Sequence, residues 1–419
     1  MDEMTKKSEA VPGANERLEE VGPGCYVYSA DECANTGIII GERGVLVVDS
    51  PATPALAEKA LGKIRELTDR PVRSVVLTHF HADSSLGALA FDPGEVIASD
   101  LTRRMTETRG AEDIRVSRQR DPDLFAGLPE TAGVVMPTLT IASSMTIDLG
   151  GLEVRLMHLG RGHTMGDLVV WVPQSGVIFA GDLVQKSTVP YCGDAHLADW
   201  PRALDRITAF RPSALVPGRG SIATGAQGIA TAVETTRDYV TTLRDAAAAC
   251  VEQSLGLRDT YLAVSDALAP RFASRDDYGF QLPVNVARAY DEALGLDLPQ
   301  VWTCERLADL RDALAGTVAA VAETGDEAVT ETDEAAAADV EPVLATTGET
   351  DAAAAEARED DSRVNLVSES AFAASLAMDA DDAGTDGEEP LDLSADDIVE
   401  DRDSAPEGSR DNRVLEEAR

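Results

Sequence analysis

Two histidines and an aspartate leave the end of one apolar run, Val75-Val76-Leu77-Thr78-His79-Phe80-His81-Ala82-Asp83. The β-branched start reads as a strand buried on both faces. In extended backbone, side chains two apart point the same way, so His79 and His81 are spaced to reach a single ion of zinc size. A bare His-X-His is also an ordinary loop feature. The rest of the chain changes that weighing. Only five histidines are present, and His163 follows a second strand-like run and the Gly-rich turn Gly160-Arg161-Gly162, while Asp182 ends a later strand, Gly176 to Asp182. Three imidazoles and one carboxylate, each at a strand end or turn, match a catalytic zinc site with an open position. A +2 ion held this way lowers the pKa of bound water to ~7 and makes hydroxide available at neutral pH.

Three blocks, Thr78-His79-Phe80-His81-Ala82-Asp83, Gly162-His163-Thr164-Met165-Gly166-Asp167 and Ala180-Gly181-Asp182-Leu183, resemble the metallo-β-lactamase fold superfamily in order and spacing. The resemblance covers roughly residues 21–225 and rests on the three blocks together. It implies an α/β fold, a four-layer αβ/βα sandwich, with His79, His81, His163 and Asp182 as metal ligands. It also implies that Asp49, at the end of an earlier strand, supports the ligands from behind; a plain turn acid is the other reading. A substrate-lining loop is expected near Lys186 to Trp200. That segment offers Tyr191, Cys192 and His196 as pocket or core residues.

Two departures from the family pattern bear on the chemistry. Ser84 stands where the pattern His-X-His-X-Asp-His ends in histidine, and Arg219 replaces the histidine of a late Pro-Gly-His-Gly loop. The two missing histidines help hold a second metal in the family, and a guanidinium cannot bind a cation. One zinc ion is therefore expected, with iron as the alternative. Asp83 would orient or deprotonate the attacking water, and Arg219 would hold a substrate carboxylate, phosphate or oxyanion. The expected reaction is hydrolysis of an ester, thioester, lactone or amide of an anionic small molecule, since the fold by itself does not imply β-lactam cleavage. Two alternatives stand beside it. Family members acting on persulfides are iron dioxygenases that use two histidines and an aspartate, a set that His79, His163 and Asp182 fit. The other is a non-catalytic binding or scaffold protein.

The elements that must position these residues are legible in outline. Short strands at Gly24 to Tyr28, Thr36 to Ile40 and Gly44 to Asp49 form a meander, and Ala55 to Thr68 has helical spacing. Residues 84–107 read as helix, short strand and helix, and residues 108–135 as polar and irregular. The arginines Arg103, Arg104, Arg109, Arg115, Arg118 and Arg120 are expected to form a solvated face rather than a pocket mouth. Leu139 to Leu149 and Leu152 to Leu159 pair around Gly150-Gly151, a hairpin signal. His158 lies inside that strand as a core histidine. From residue 226 to 318 the period becomes helical, with Gly256, Pro270, Pro283 and Pro299 as breaks. This helical region either covers the site, with Tyr278, Phe280 and Tyr290 as walls, or forms a homo-oligomer interface.

The formal net charge is -39, and residues 321–419 hold 31 acids against six arginines. That balance argues against nucleic acid and against anionic membrane as partners, since both need a basic footprint. Residues 319–419, rich in Ala, Asp and Glu, read as a disordered acidic tail. Two apolar islands, Val364 to Leu376 and Leu391 to Val399, would dock a protein partner if the tail does more than solubilise. Five scattered cysteines are not a disulfide framework. The polar lead of residues 1–20 lacks an apolar signal core, and no apolar run reaches the ~18 residues of a membrane span. The expectation is a soluble cytoplasmic protein.

Overall fold

The computed structural model describes residues 10–315. The acidic tail, its two apolar islands and residues 1–9 lie outside the described residues. Strand β1 (Arg17–Gly22) begins inside the stretch assigned to the N-terminal lead, because it pairs with β2 (Cys25–Ser29) across a tight Pro23-Gly24 turn. The meander continues through β3 (Thr36–Gly41) and β4 (Gly44–Val48), as the alternation of Gly-containing turns with β-branched runs requires. Helix α1 (Pro54–Leu67) then crosses over to β5 (Val72–Val76), which lies parallel to β4. Thr53 caps α1 by accepting the Leu56 N–H, and Pro54 occupies the first helical turn, where its missing N–H costs nothing.

Beyond β5 come the short helix α2 (Ala82–Ser85), a 3₁₀ turn at Ala88–Phe91, β6 (Glu95–Ser99), α3 (Asp100–Arg120) and β7 (Leu139–Ile141). Helix α3 corrects the reading of residues 108–135 as irregular, since it runs unbroken to Arg120. Its buried stripe of Thr102, Met105, Thr106, Gly110, Ile114 and Val116 mixes small and polar residues, which hides the helical period. The run read as one strand from Leu139 to Leu149 is also divided. β7 completes the first, seven-stranded sheet beside β6, whereas β8 (Ser144–Asp148) opens the second.

The second sheet has the order β13-β12-β11-β10-β9-β8, with β9 (Glu153–His158), β10 (Leu168–Val172), β11 (Val177–Gln185), β12 (Ala214–Arg219) and β13 (Ala223–Thr224). All its pairs are antiparallel except β11 with β12, which α4 (Trp200–Ala209) connects. The two sheets face each other across Ile39, Leu46, Val76, Leu156, Val170 and Phe179, all buried. Helix α1 and the segment after β5 cover the outer face of the first sheet, around Val45, Val75, Ile64 and Phe91. The fold is thus the expected αβ/βα sandwich.

Helices α5 (Gly225–Glu252), α6 (Leu257–Phe272), α7 (Tyr278–Ala293) and α8 (Cys304–Ala313) follow. Pro270 and Pro283, expected as breaks, lie within α6 and α7. Pro270 is in the last turn of α6 and Pro283 in the second turn of α7, so each removes one N–H···O=C bond from its helix without ending it. These helices share one apolar cluster with the second sheet, in which Leu183 and Val184 of β11 meet Val240 and Leu243 of α5 and Leu282 of α7. No helix among the described residues is long and apolar enough to cross a membrane. No disulfide bond joins the cysteines among the described residues.

Leu243 is fully buried in that shared cluster. Leu243→Ala should lower unfolding stability by about 2–5 kcal/mol, measured by chemical denaturation. A loss of under ~1 kcal/mol would show that α5 contributes little to the core beneath the second sheet.

Candidate metal centre

The site is built where the loop after β5, the loop after β9 and the end of β11 meet. His79 and His81 lie past the last paired residue of β5, and His81 is the residue from which α2 starts, with extended backbone. His163 sits in the turn between β9 and β10. Asp167 shapes that turn by accepting the Thr164 N–H at 2.9 and 3.0 Å and the Thr164 hydroxyl at 2.6 Å, while Ser99 and Thr102 both donate to Gly166 O. His79, His81 and His163 are all buried, and one nitrogen of each lies within 4.8 Å of the others. Two Zn–N bonds of ~2.1 Å span at most about 4.2 Å, so these atoms need to move little to share one ion.

Hydrogen bonds decide which nitrogen each ring presents. Asp49 accepts the Thr78 N–H at 2.7 Å and the Thr78 hydroxyl at 2.8 Å. With that hydroxyl proton committed, His79 donates Nδ1–H to Thr78 Oγ1 at 2.9 Å. Its Nε2 is then a buried acceptor with no partner. His81 donates Nε2–H to Asp194 at 3.2 Å, and His163 donates Nδ1–H to Tyr191 O at 3.0 Å. The remaining lone pairs, His81 Nδ1 and His163 Nε2, face each other at 2.9 Å. Two lone pairs at that distance repel unless a cation lies between them. An orphaned imidazole nitrogen, two opposed lone pairs and backing hydrogen bonds on all three rings fit a bound transition metal.

The surrounding charge agrees. Burial pushes His79 and His163 down to about 3, so both are neutral at pH 7 and free to donate lone pairs. Burial acts the same way on His81, but its hydrogen bond to Asp194 and the charges of Asp113 and Asp194 outweigh it and raise His81 to about 9. The field therefore favours positive charge at this point, from a proton or from a metal. Burial also pushes Asp49 up to about 8, against the two hydrogen bonds from Thr78.

Asp182 Oδ2 lies 3.7 Å from His163 Nε2. Two glycines let it reach there. Gly181 has φ +52° beneath the Thr78 side chain, and a Cβ on Gly218 would fall 1.8 Å from Asp182 Oδ1. Gly218 lies near the end of β12, which Asn35 pins by donating Nδ2–H to Pro217 O and Gly220 O.

Asp83 and Arg219, expected to serve water and substrate separately, are joined to each other. An Arg219 Nη2–H donates to Asp83 Oδ2, and Nη1 donates to Glu32 O. The Arg219 charge, acting against burial, holds the Asp83 carboxyl well below its ordinary range. Asp83 is thus a poor proton acceptor, and Arg219 already has its anion. Ser84 is buried, with its backbone oxygen accepting from Ser50 and its hydroxyl only 3.5 Å from Asp83.

A cleft of about 500 Å³ opens over His81, His163 and Asp182, lined also by Asp83, Arg219, Tyr191 and Phe280. Cys192 and His196 do not line it. The Cys192 N–H is held by Asn285, which turns the thiol into the core beneath α5 and α7, and burial raises its pKa. His196 is buried beside Asp297, with Nδ1 3.9 Å from that carboxylate. His158 is half-buried and bonds Met165 O. Of the three aromatic walls expected from the helical region, only Phe280 reaches the cleft; Tyr278 and Tyr290 donate to Ser265 O and Leu255 O.

Three residues take roles at the site that the sequence did not assign them. Asp194, in the substrate-lining loop expected near Lys186 to Trp200, orients His81 and is itself held by Arg109 at 3.0 Å. Arg109 and Arg120 leave the solvated face to which α3's arginines were assigned, because that side of α3 turns toward the site.

Comparison with known proteins places this geometry. The family model of the metallo-beta-lactamase superfamily matches residues 33–219. A linear primary-alkylsulfatase from a Pseudomonas species is 23% identical over 240 residues, which are 50% of this chain and 45% of that protein. The match thus spans less than half of the alkylsulfatase. A type 2 metallo-beta-lactamase from Bacteroides fragilis is 24% identical over 192 residues, covering 45% of this chain and 69% of that protein. Among solved structures, an inverting sec-alkylsulfatase from Pseudomonas sp. aligns with TM-score 0.53 and 19% identity over 67% of this chain and 50% of its own, a likeness of fold.

Asp194→Asn keeps the shape but weakens the acceptor that fixes His81. Metal affinity, measured by chelator competition, should fall about 10–100-fold. Unchanged affinity would mean that the His81 ring is set by packing alone.

Proposed function

Residues 33–219 belong to the metallo-beta-lactamase superfamily, and on that premise we propose that this chain is a metal-dependent hydrolase with a single zinc ion, held by His79 Nε2, His81 Nδ1 and His163 Nε2. The observation that carries the proposal is the buried convergence of three imidazole nitrogens, one unpartnered and two facing each other at 2.9 Å. When bound, zinc in a three-imidazole site acidifies water and polarises the bond to be cut. The protein's own residues do the rest. Thr78, Asp194 and the Tyr191 carbonyl hold the three rings in one tautomer each. Asp182 adds negative charge beside His163. Asp83, kept ionised by Arg219, accepts a hydrogen bond from the attacking water and so orients it; its low basicity makes it a poor general base.

The Asp83–Arg219 pair also supports a single ion. A second cation next to Asp83 would compete with a guanidinium already bound there, and neither Ser84 nor Arg219 offers an imidazole in compensation. Arg219 thereby supplies, as a fixed charge, part of the field that a second metal would supply. The bond opened is an acyl bond of a carboxylic ester, thioester, lactone or amide or, by analogy with the alkylsulfatase relative, that of a sulfate ester. The joining of His81 to the cluster favours zinc over the two-histidine, one-carboxylate set of an iron dioxygenase.

Elemental analysis of protein purified without chelator should give about one zinc per chain, and Arg219→His should raise that number. Two tightly held ions in the unaltered protein would overturn the single-ion assignment. Iron content with oxygen uptake on a thiol persulfide would replace zinc hydrolysis by the dioxygenase reading.

Hydrolysis of 4-nitrophenyl esters or sulfates should fall to background on chelation and in His79→Ala, and return to the unaltered protein with added zinc. Activity that survives both treatments would remove the metal from the reaction.

A further inference from the structure

Arg120 is set into the cleft in a way that no assigned role uses. It ends α3, and its guanidinium carbon lies 4.4 Å from the centre of the Phe280 ring and 5.1 Å from that of Tyr191. Its protein hydrogen bonds all come from Nη2, to Gln281 Oε1 at 2.8 Å and to Phe280 O at 3.4 Å. Nε–H and both hydrogens on Nη1 therefore meet no acceptor among the described residues. Elsewhere on the same helix, Arg103, Arg109, Arg115 and Arg118 each pair with a carboxylate. Arg120 does not. Burial, acting against the neighbouring acids, lowers its pKa, so it is a partly desolvated cation. Leaving such a charge without an anion is costly unless a ligand supplies one. Its aromatic contacts and its two hydrogen bonds to amide oxygens hold the guanidinium at the cleft wall while leaving donors over, the arrangement suited to a carboxylate or a sulfate-type anion.

The position sets what such a ligand looks like. The Tyr191 ring touched by Arg120 lies 5.3 Å from the His81 ring and 6.1 Å from the His163 ring, so one aromatic ring separates the guanidinium from the metal centre. Val116, Leu124, Phe125 and Val189 supply apolar lining in the same cleft. The rest of the lining is mostly acidic, with Asp31, Asp113, Asp121, Asp182 and Asp276 on its walls; Arg17 lies exposed at its rim, and Arg219 is spent on Asp83. A polyanion would be repelled by these acids.

We propose that Arg120 anchors a single carboxylate or sulfate-type group on the substrate, remote from the bond that is cut and joined to it by an apolar stretch. This refines the hydrolase reading and rests on it for the word substrate, but the anchoring is measurable without turnover. Arg120 is then a specificity-determining residue, and the anion-binding part given to Arg219 by sequence passes to it.

The test is calorimetric titration of the zinc-loaded full chain with octanoate, octane-1-sulfonate and octan-1-ol. Both anions should bind at least about tenfold more tightly than the alcohol, a difference of ~1.4 kcal/mol. Arg120→Met and Arg120→Gln should each remove that preference, and Arg120→Lys should keep part of it. His163→Ala, which disables the metal centre, should leave it in place. A preference that survives both Arg120→Met and Arg120→Gln, or that disappears in His163→Ala, would put the anion on the metal and overturn the proposal. Comparison of octanoate with octane-1-sulfonate distinguishes carboxylate from sulfate-type heads. In parallel, the ratio of kcat/KM for 4-nitrophenyl hydrogen glutarate over 4-nitrophenyl butyrate should fall about tenfold in Arg120→Met. Absent turnover with an Arg120-dependent binding preference would sink the hydrolase reading alone; turnover with no such dependence would sink the anchor alone.

Discussion

Two imidazole lone pairs held 2.9 Å apart in a dry interior are tolerable only with positive charge between them. Much of the site serves that constraint. Each ring's outer nitrogen is tied to a different part of the chain: His79 to Thr78 and Asp49, His81 to Asp194, His163 to the Tyr191 carbonyl. These ties choose the tautomer, and the tautomer decides which lone pair faces inward. Burial keeps two of the rings neutral, while acids outside the ring cluster draw a cation to its centre. The sandwich makes the meeting of these loops possible because both β5 and β11 end at the same edge, where Gly181 and Gly218 give Asp182 room to approach.

Charge near the metal centre is balanced within the chain rather than left to ligands. Asp83 and Arg219 neutralise each other, and Arg109 offsets Asp194. The exchange of a metal-binding histidine for arginine therefore does more than remove a ligand. It replaces an exchangeable cation with one that is covalently part of the protein and always charged. Against this background Arg120 stands out among the described residues as a part-buried guanidinium in the cleft, stacked between two aromatic rings and bonded through Nη2 alone.

The helical region contributes to both stability and the site. Its helices share apolar residues with the second sheet, and Asn285 and Asp277 of the α7 segment bond the backbone of Cys192 and Val189. The loop carrying Tyr191 is thereby held from behind, which places its carbonyl on His163 and its ring between Arg120 and the histidines. Phe280, from the start of α7, supplies the other face of the Arg120 stack.

The sequence alone determined the features that are local in the chain. The His79-Phe80-His81 spacing at a strand exit, the Gly-bounded meander, the Gly150-Gly151 hairpin and the order of the three motif blocks all depend on neighbours a few residues apart, and each was legible. Substitution of Ser84 and Arg219 for histidines was equally plain. Helix α3 was partly hidden because its buried stripe is made of threonine and glycine as well as apolar residues, which blurs the period on which such readings depend. Only the tertiary structure decided what rests on contacts distant in sequence. Asp194 meets His81 across 113 residues, Arg219 meets Asp83 across 136, and Arg120 meets Gln281 across 161. No periodicity or spacing encodes such pairings, because hydrogen bonding and ion pairing depend on where side chains end up in space, and that is set by how the two sheets and the helices pack together.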